Sequence, residues 1–141
     1  MTPRTQAEVA RRTYNPRAAT YEDSWHAAYS PVFIGLLPLR PGNRVLSLCC
    51  GTGLDAFAAA AAIGPRGHVV GIDVSEAMLE VARAKRTASG DEVVKLICHD
   101  ATDLGSLTGE EAALVQPGGF DAVVCSNALF MFEDPVAVVR H

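Results

Sequence analysis

Between Cys49 and Asp73 the chain sets two close glycines, Gly51 and Gly53, then an alanine run, then an acid. Glycines at such a place let the backbone approach whatever sits at the N-terminus of a following helix, because a β-carbon would hold that ligand off. Asp73 stands about twenty residues beyond the turn, the separation at which a carboxylate meets ribose hydroxyls. A bound nucleoside is the simplest reading. The cysteines at 49, 50, 98 and 125 form neither a C-x-x-C metal pair nor a disulfide framework, which leaves buried, reduced thiols beside the ligand edge. The residues that bind metals do not cluster, so no metal is implied.

These groups need a scaffold that brings them together. Val45, Leu46 and Leu48 read as a buried parallel strand, Leu54 to Ile63 as a helix stopped by Gly64, and His68 to Ile72 as a second strand with Asp73 at its tip. Ser75 caps a helix that runs through Ala84 and ends at Gly90, and Val93 to Cys98 forms a third strand. A short helix over Glu110 to Val115, a strand over Phe120 to Cys125 and the start of another helix at Pro135 follow. Strands alternating with helices give right-handed βαβ units, with the first strand central, the second and third on one side and the fourth on the other. The turns starting at Cys49, Asp73, His99 and Ser126 then share one rim.

Residues 1–43 read as a helical preface, with one helix over Thr5 to Thr13 and a second over Arg17 to Tyr29. Tyr21, Trp25, His26 and Tyr29 gather in the second helix. Two readings stand level: an amphipathic helix packed on the sheet, or a lid whose aromatics cover the ligand. His26 beside a tryptophan reads as a packing residue before it reads as a general base.

The chain has 141 residues, 49% hydrophobic and 20% charged, with a net charge of -4, the profile of one globular unit. That charge leaves no footprint for nucleic acid, although residues 1–20 hold four arginines against one glutamate. No apolar run approaches the roughly 18 residues of a membrane span, and the N-terminus lacks a signal-peptide core. A cytoplasmic location with no membrane partner is the expectation.

Four segments in order, VLSLCCGTG at 45–53, GIDVSEAMLEVAR, CHDATDL and FDAVVCSNALFMFED, resemble the first four motifs of class I S-adenosylmethionine-dependent methyltransferases, closest to the small-molecule type of ubiquinone and menaquinone biosynthesis. The resemblance implies an α/β fold: a Rossmann-like parallel sheet with helices on both faces, the preface at 1–43 and the cofactor-binding domain at 44–141. It implies S-adenosylmethionine as cofactor and a small-molecule acceptor. Cys49, Gly51 and Gly53 would wrap the methionine part, Asp73 would hold both ribose hydroxyls, and Val74 and Met78 would pack on the adenine. Asp100 would accept the adenine amino group, with the Ala101 amide nearby; Ser126 would floor the sulfonium and Tyr21 would cover the amino-acid end. Structural roles stay open beside these: Met78 as core, Ser126 as a helix cap, Asp100 as a cap near Thr102.

Two departures stand out. Ser47 replaces the family's acid in the first strand and Cys49 the first of its three glycines, and the fifth strand and antiparallel pair of the full fold are absent. An unpaired edge at the apolar FDAVVC implies a piece of a longer polypeptide, or a component that completes its sheet with another chain. Gly51, Gly53 and Ala56 also fit the fingerprint of an NAD(P)-binding oxidoreductase, opposed by the long preface and by HDATDL after the third strand. A catalytically inactive protein of the same fold, serving assembly or regulation, is a third reading. If the acceptor must lose a proton, His26 or His99 is the nearest base by position.

Overall fold

The computed structural model describes residues 5–140; the first four residues of the expected preface, and His141, lie outside that range. Four short strands form the sheet: β1 (Arg44–Leu48), β2 (His68–Asp73), β3 (Val94–Cys98) and β4 (Ala122–Val124). All pair in parallel in the order β3-β2-β1-β4, the winding expected from the sequence. Leu48 lies opposite Ile72 and Asp73 opposite Cys98, so the strands end together at one rim.

Alternate residues of each strand feed different faces. Val45, Val69, Val94 and Val124 pack with Ala56, Ala59, Ala60 and Ile63 of α3 (Leu54–Ile63). Leu46, Leu48, Val70, Ile72 and Ile97 pack on the opposite face with Leu107 and Val138. The alanines explain the close seat of α3: Ala56 and Ala59 are wholly buried, where larger side chains would lift the helix off the sheet. Residues as fully enclosed as Ile63, Ile72, Leu79 and Ile97 each contribute about 1.5–3 kcal/mol. α4 (Glu76–Ser89) starts where the Ser75 hydroxyl accepts from the Met78 amide at 3.2 Å and stops at Gly90 in the left-handed region, as its sequence implied.

The preface departs from its expected form. α1 (Gln6–Tyr14) carries a capping box, in which Thr5 and Glu8 each accept the other's amide. The expected helix over Arg17 to Tyr29 is instead a 3-10 segment, Asn15–Asp23, followed by α2 (His26–Gly35). Ser24 makes the break: its hydroxyl donates to the Tyr21 carbonyl at 2.6 Å and contacts His26 Nδ1 at 2.7 Å, local bonds that compete with a continuous helix. Pro31 lies inside α2, and packing of Ile34 into the core shared with α3 holds that helix in spite of it.

On the second face α5 (Gly109–Leu114) and α6 (Pro135–Arg140) have six residues each. A 3-10 turn over Leu104–Ser106 precedes α5. They leave an apolar groove of about 580 Å³ between Leu46, Leu48, Val123, Leu129 and Val139. β4 is an edge strand, with Val123 59% exposed.

Candidate functional site

The strand tips and the turns that follow them line a cavity of about 90 Å³. Its floor is the turn after β1, where Cys49, Gly51 and Gly53 all have positive φ, at 53°, 55° and 86°. Asp73 rises at the tip of β2. Its Oδ2 accepts from the Gly51 amide and its Oδ1 from the Ser75 amide, both at 2.8 Å. Those bonds fix the carboxylate and leave it acceptor capacity for a further donor. Burial raises the Asp73 pKa, and the amides of Ser75, Gly51 and Val74 oppose that rise.

The roof comes from the preface. Ala7, Ala10 and Tyr14 of α1 line the cavity with Tyr21. Gln6 Nε2 donates to the Met131 carbonyl at 2.6 Å, Tyr14 Oη donates to Met131 Sδ at 3.3 Å, and Arg11 Nε donates to the Val74 carbonyl at 3.2 Å. Tyr21 is pushed up to about 12, first by burial and then by Tyr14, Asp55 and Asp73, so its phenol stays a hydrogen-bond donor throughout the neutral range. Behind it the Asp55 Oδ1 is buried without a hydrogen-bond partner.

Of the ten residues singled out from the sequence, Tyr21, Cys49, Gly51, Asp73, Val74, Met78, Ala101 and Ser126 line this cavity. Gly53 and Asp100 do not. A Cβ at Gly53 would stand 2.8 Å from Phe57, so this glycine serves helix packing beneath the floor. Asp100 Oδ1 accepts from the Thr102 amide and hydroxyl at 2.9 and 2.7 Å, which turns the carboxylate onto its own loop. Met78 is both core, at 2% exposure, and wall.

The aromatic lid is only partly where the sequence put it. Trp25 is 59% exposed and neither it nor Tyr29 reaches the cavity. His26 is stacked between Trp25 and Tyr21 at 4.0 and 4.6 Å, and His99 is held by Asp103 and Ser106 in its own loop. Neither histidine lines the cavity. Burial lowers the His26 pKa.

The thiols are mixed. Cys98 is exposed, against the expectation of burial, at the end of the edge strand β3, with its Sγ 3.8 Å from the Val74 carbonyl. Cys49 is raised well above its ordinary value by its hydrogen bond to Cys125 and by burial, so it is a protonated wall residue rather than a nucleophile.

Gln6, Ala10, Tyr14, Asn127, Met131 and Phe132 also line the cavity without having been singled out. The capping box announces α1, but only long-range contact shows what it covers.

A parallel sheet with its ligand cavity at the carboxyl rim, a glycine floor and an acid at the second strand's tip defines a class: nucleoside-binding α/β domains. Within it, the methyltransferase domain family matches residues 39–141, and the chain belongs to that family. It is similar to the demethylmenaquinone methyltransferase of Bacillus cytotoxicus, at 39% identity over 79 residues, 56% of this chain and 33% of that protein. The demethylmenaquinone methyltransferase of Staphylococcus aureus matches at 50% over 66 residues, 47% of this chain and 27% of that protein. The match thus spans about a third or less of these relatives' length. The fold is shared with magnesium protoporphyrin IX methyltransferase from Synechocystis PCC 6803, solved with bound SAH, at TM-score 0.70 and 19% identity, covering 96% of this chain and 65% of that one.

Proposed function

We propose that this chain binds S-adenosylmethionine in the cavity beneath α1 and serves methyl transfer to a small, partly apolar acceptor. The observation that carries the reading is the Asp73 carboxylate, fixed by the Gly51 amide and facing the cavity with acceptor capacity to spare. A ribose presents two adjacent hydroxyl donors, which suits that capacity. The floor suits the ligand as well: a Cβ at Gly51 would stand 3.0 Å from Met78 Cε and fill the space between floor and wall. Val74 and Met78 offer the apolar surface that a purine needs, and Tyr21 offers a neutral donor to the cofactor's carboxylate.

When bound, S-adenosylmethionine supplies a methyl group already activated by its positively charged sulfur. The protein's part is placement in a dry site. Asp73 and the Gly51 backbone set the position along the rim; α1 and Tyr21 exclude water from above. Cys49 stays a neutral thiol and does not compete as a methyl acceptor. His26 and His99 lie outside the lining of this cavity.

The relatives that act on demethylmenaquinone support an acceptor of quinone type. The exposed edge at β4 and the apolar groove beside it support further polypeptide, in this chain or another, building the acceptor's side of the site.

Titration calorimetry with S-adenosylhomocysteine and, separately, NADH tests the reading. Binding of the first, weakened in Asp73→Asn, is expected; binding of NADH alone would make this an oxidoreductase domain.

A further inference from the structure

The cavity at about 90 Å³ is smaller than the ~300 Å³ at which small-molecule pockets begin, so holding a ligand of adenosine size needs its walls, the preface roof among them, to shift. Roof contacts with the rim go to the loop after β4, through Gln6 and Tyr14, and to the start of α4, through Arg11 and through Asn15, whose Oδ1 accepts from the Ser75 hydroxyl at 2.6 Å. Among the described residues a single side-chain hydrogen bond joins the preface to the glycine turn itself. Thr52 Oγ1 donates to Glu22 Oε1 at 2.8 Å. The same oxygen takes the Lys85 ammonium of α4, which also lies 5.1 Å from the Phe57 ring centre.

Thr52 is wholly buried between two glycines of positive φ, and Glu22 and Lys85 are each about a third exposed, at 33% and 32%. Lifting the roof therefore strips a buried hydroxyl of its acceptor and an ammonium of its counter-charge in one movement. The cost falls on the turn that would hold the ligand. Whatever fixes that turn must in return favour the closed roof, because coupling between two equilibria is reciprocal.

We propose that Glu22 is a positioning residue, a latch through which roof closure and the shape of the ligand-holding turn stabilise each other and which sets how long the ligand stays. This rests on the reading of the cavity as an adenosine-ligand site. The latch acts through Thr52 and does not touch the ligand.

Stopped-flow displacement of S-adenosylhomocysteine from the chain and from Glu22→Ala, Thr52→Val, the double variant and Lys85→Met tests it. Each of the first two speeds dissociation by roughly tenfold without slowing association. The double variant is no faster than the faster single one, since both remove one contact; Lys85→Met, which keeps the Thr52 bond, has a smaller effect. Unchanged dissociation, or single effects that multiply in the double variant, overturns the proposal.

Amide exchange on the ligand-free protein decides the latch without any cofactor. In Glu22→Ala the amides of Gly51, Thr52 and Gly53 exchange faster while those of Val69 to Ile72 keep their protection; equal loss in both places means general damage and no latch. A wild-type chain that binds no S-adenosylhomocysteine overturns the cavity reading instead, and the exchange result then stands by itself.

Discussion

Asp73 has to stay ionised where its surroundings oppose ionisation. Burial raises its pKa above the ordinary 3.8, and three backbone amides hold the rise in check. A ligand that needs the carboxylate must compete with the proton, so affinity for S-adenosylhomocysteine is full above the raised pKa and is lost as pH falls through it, earlier than a free aspartate would give. Asp73→Asn should remove that acid limb and weaken binding roughly ten- to a hundred-fold, by loss of charge-assisted hydrogen bonds; calorimetry across a pH series reads both. Gly53 gives the contrasting case. Its φ of 86° and the Phe57 ring 2.8 Å from a would-be Cβ predict that Gly53→Ala destabilises the fold by about 1–2 kcal/mol in urea denaturation. Asp73 was legible because a strand tip fixes where its side chain can go. At Asp100 the sequence left two roles open, and the bonds from Thr102, two residues on, match the structural one, because a motif position says nothing of such local competition.

The sheet's elements were legible for a related reason. Runs of branched residues alternating with helices stopped by Gly64 and Gly90 have no other place in a small α/β domain, and the crossover rule orders them. The preface was harder to read. Ser24 diverts the backbone after Tyr21, and Gln6 meets Met131 across 125 residues, a contact that no local pattern encodes. α1 buries none of its own residues, so its hold on the rim depends on its cap and a few side-chain bonds. Thr5→Ala should cost about 1 kcal/mol of helix stability. Trypsin should then cut at Arg11 or Arg12 faster than in the parent chain, and S-adenosylhomocysteine should slow both digestions. Equal cleavage rates with and without the cap would show that α1 is held by something else.

At the scale of the molecule the two faces of the sheet differ. α2, α3 and α4 cover one, while two six-residue helices leave Val123, Phe130, Val136 and Val139 at 59%, 80%, 55% and 70% exposure around the other. An apolar edge of this kind recruits neighbours. The 141-residue chain should therefore sediment as a concentration-dependent mixture, and Val123→Lys with Phe130→Ser should shift it towards monomer without altering S-adenosylhomocysteine binding, since neither residue lines that cavity. The attachments of α1 bear on the order of events in the cell. They lie at Val74 and Met131, 63 and 125 residues further along than the side chains that reach them, so α1 has nowhere to dock on a growing chain until those positions have been made. An element made earlier is thus fastened later, and the polar, arginine-bearing character of α1 is what such a segment needs to wait in water without sticking to its neighbours.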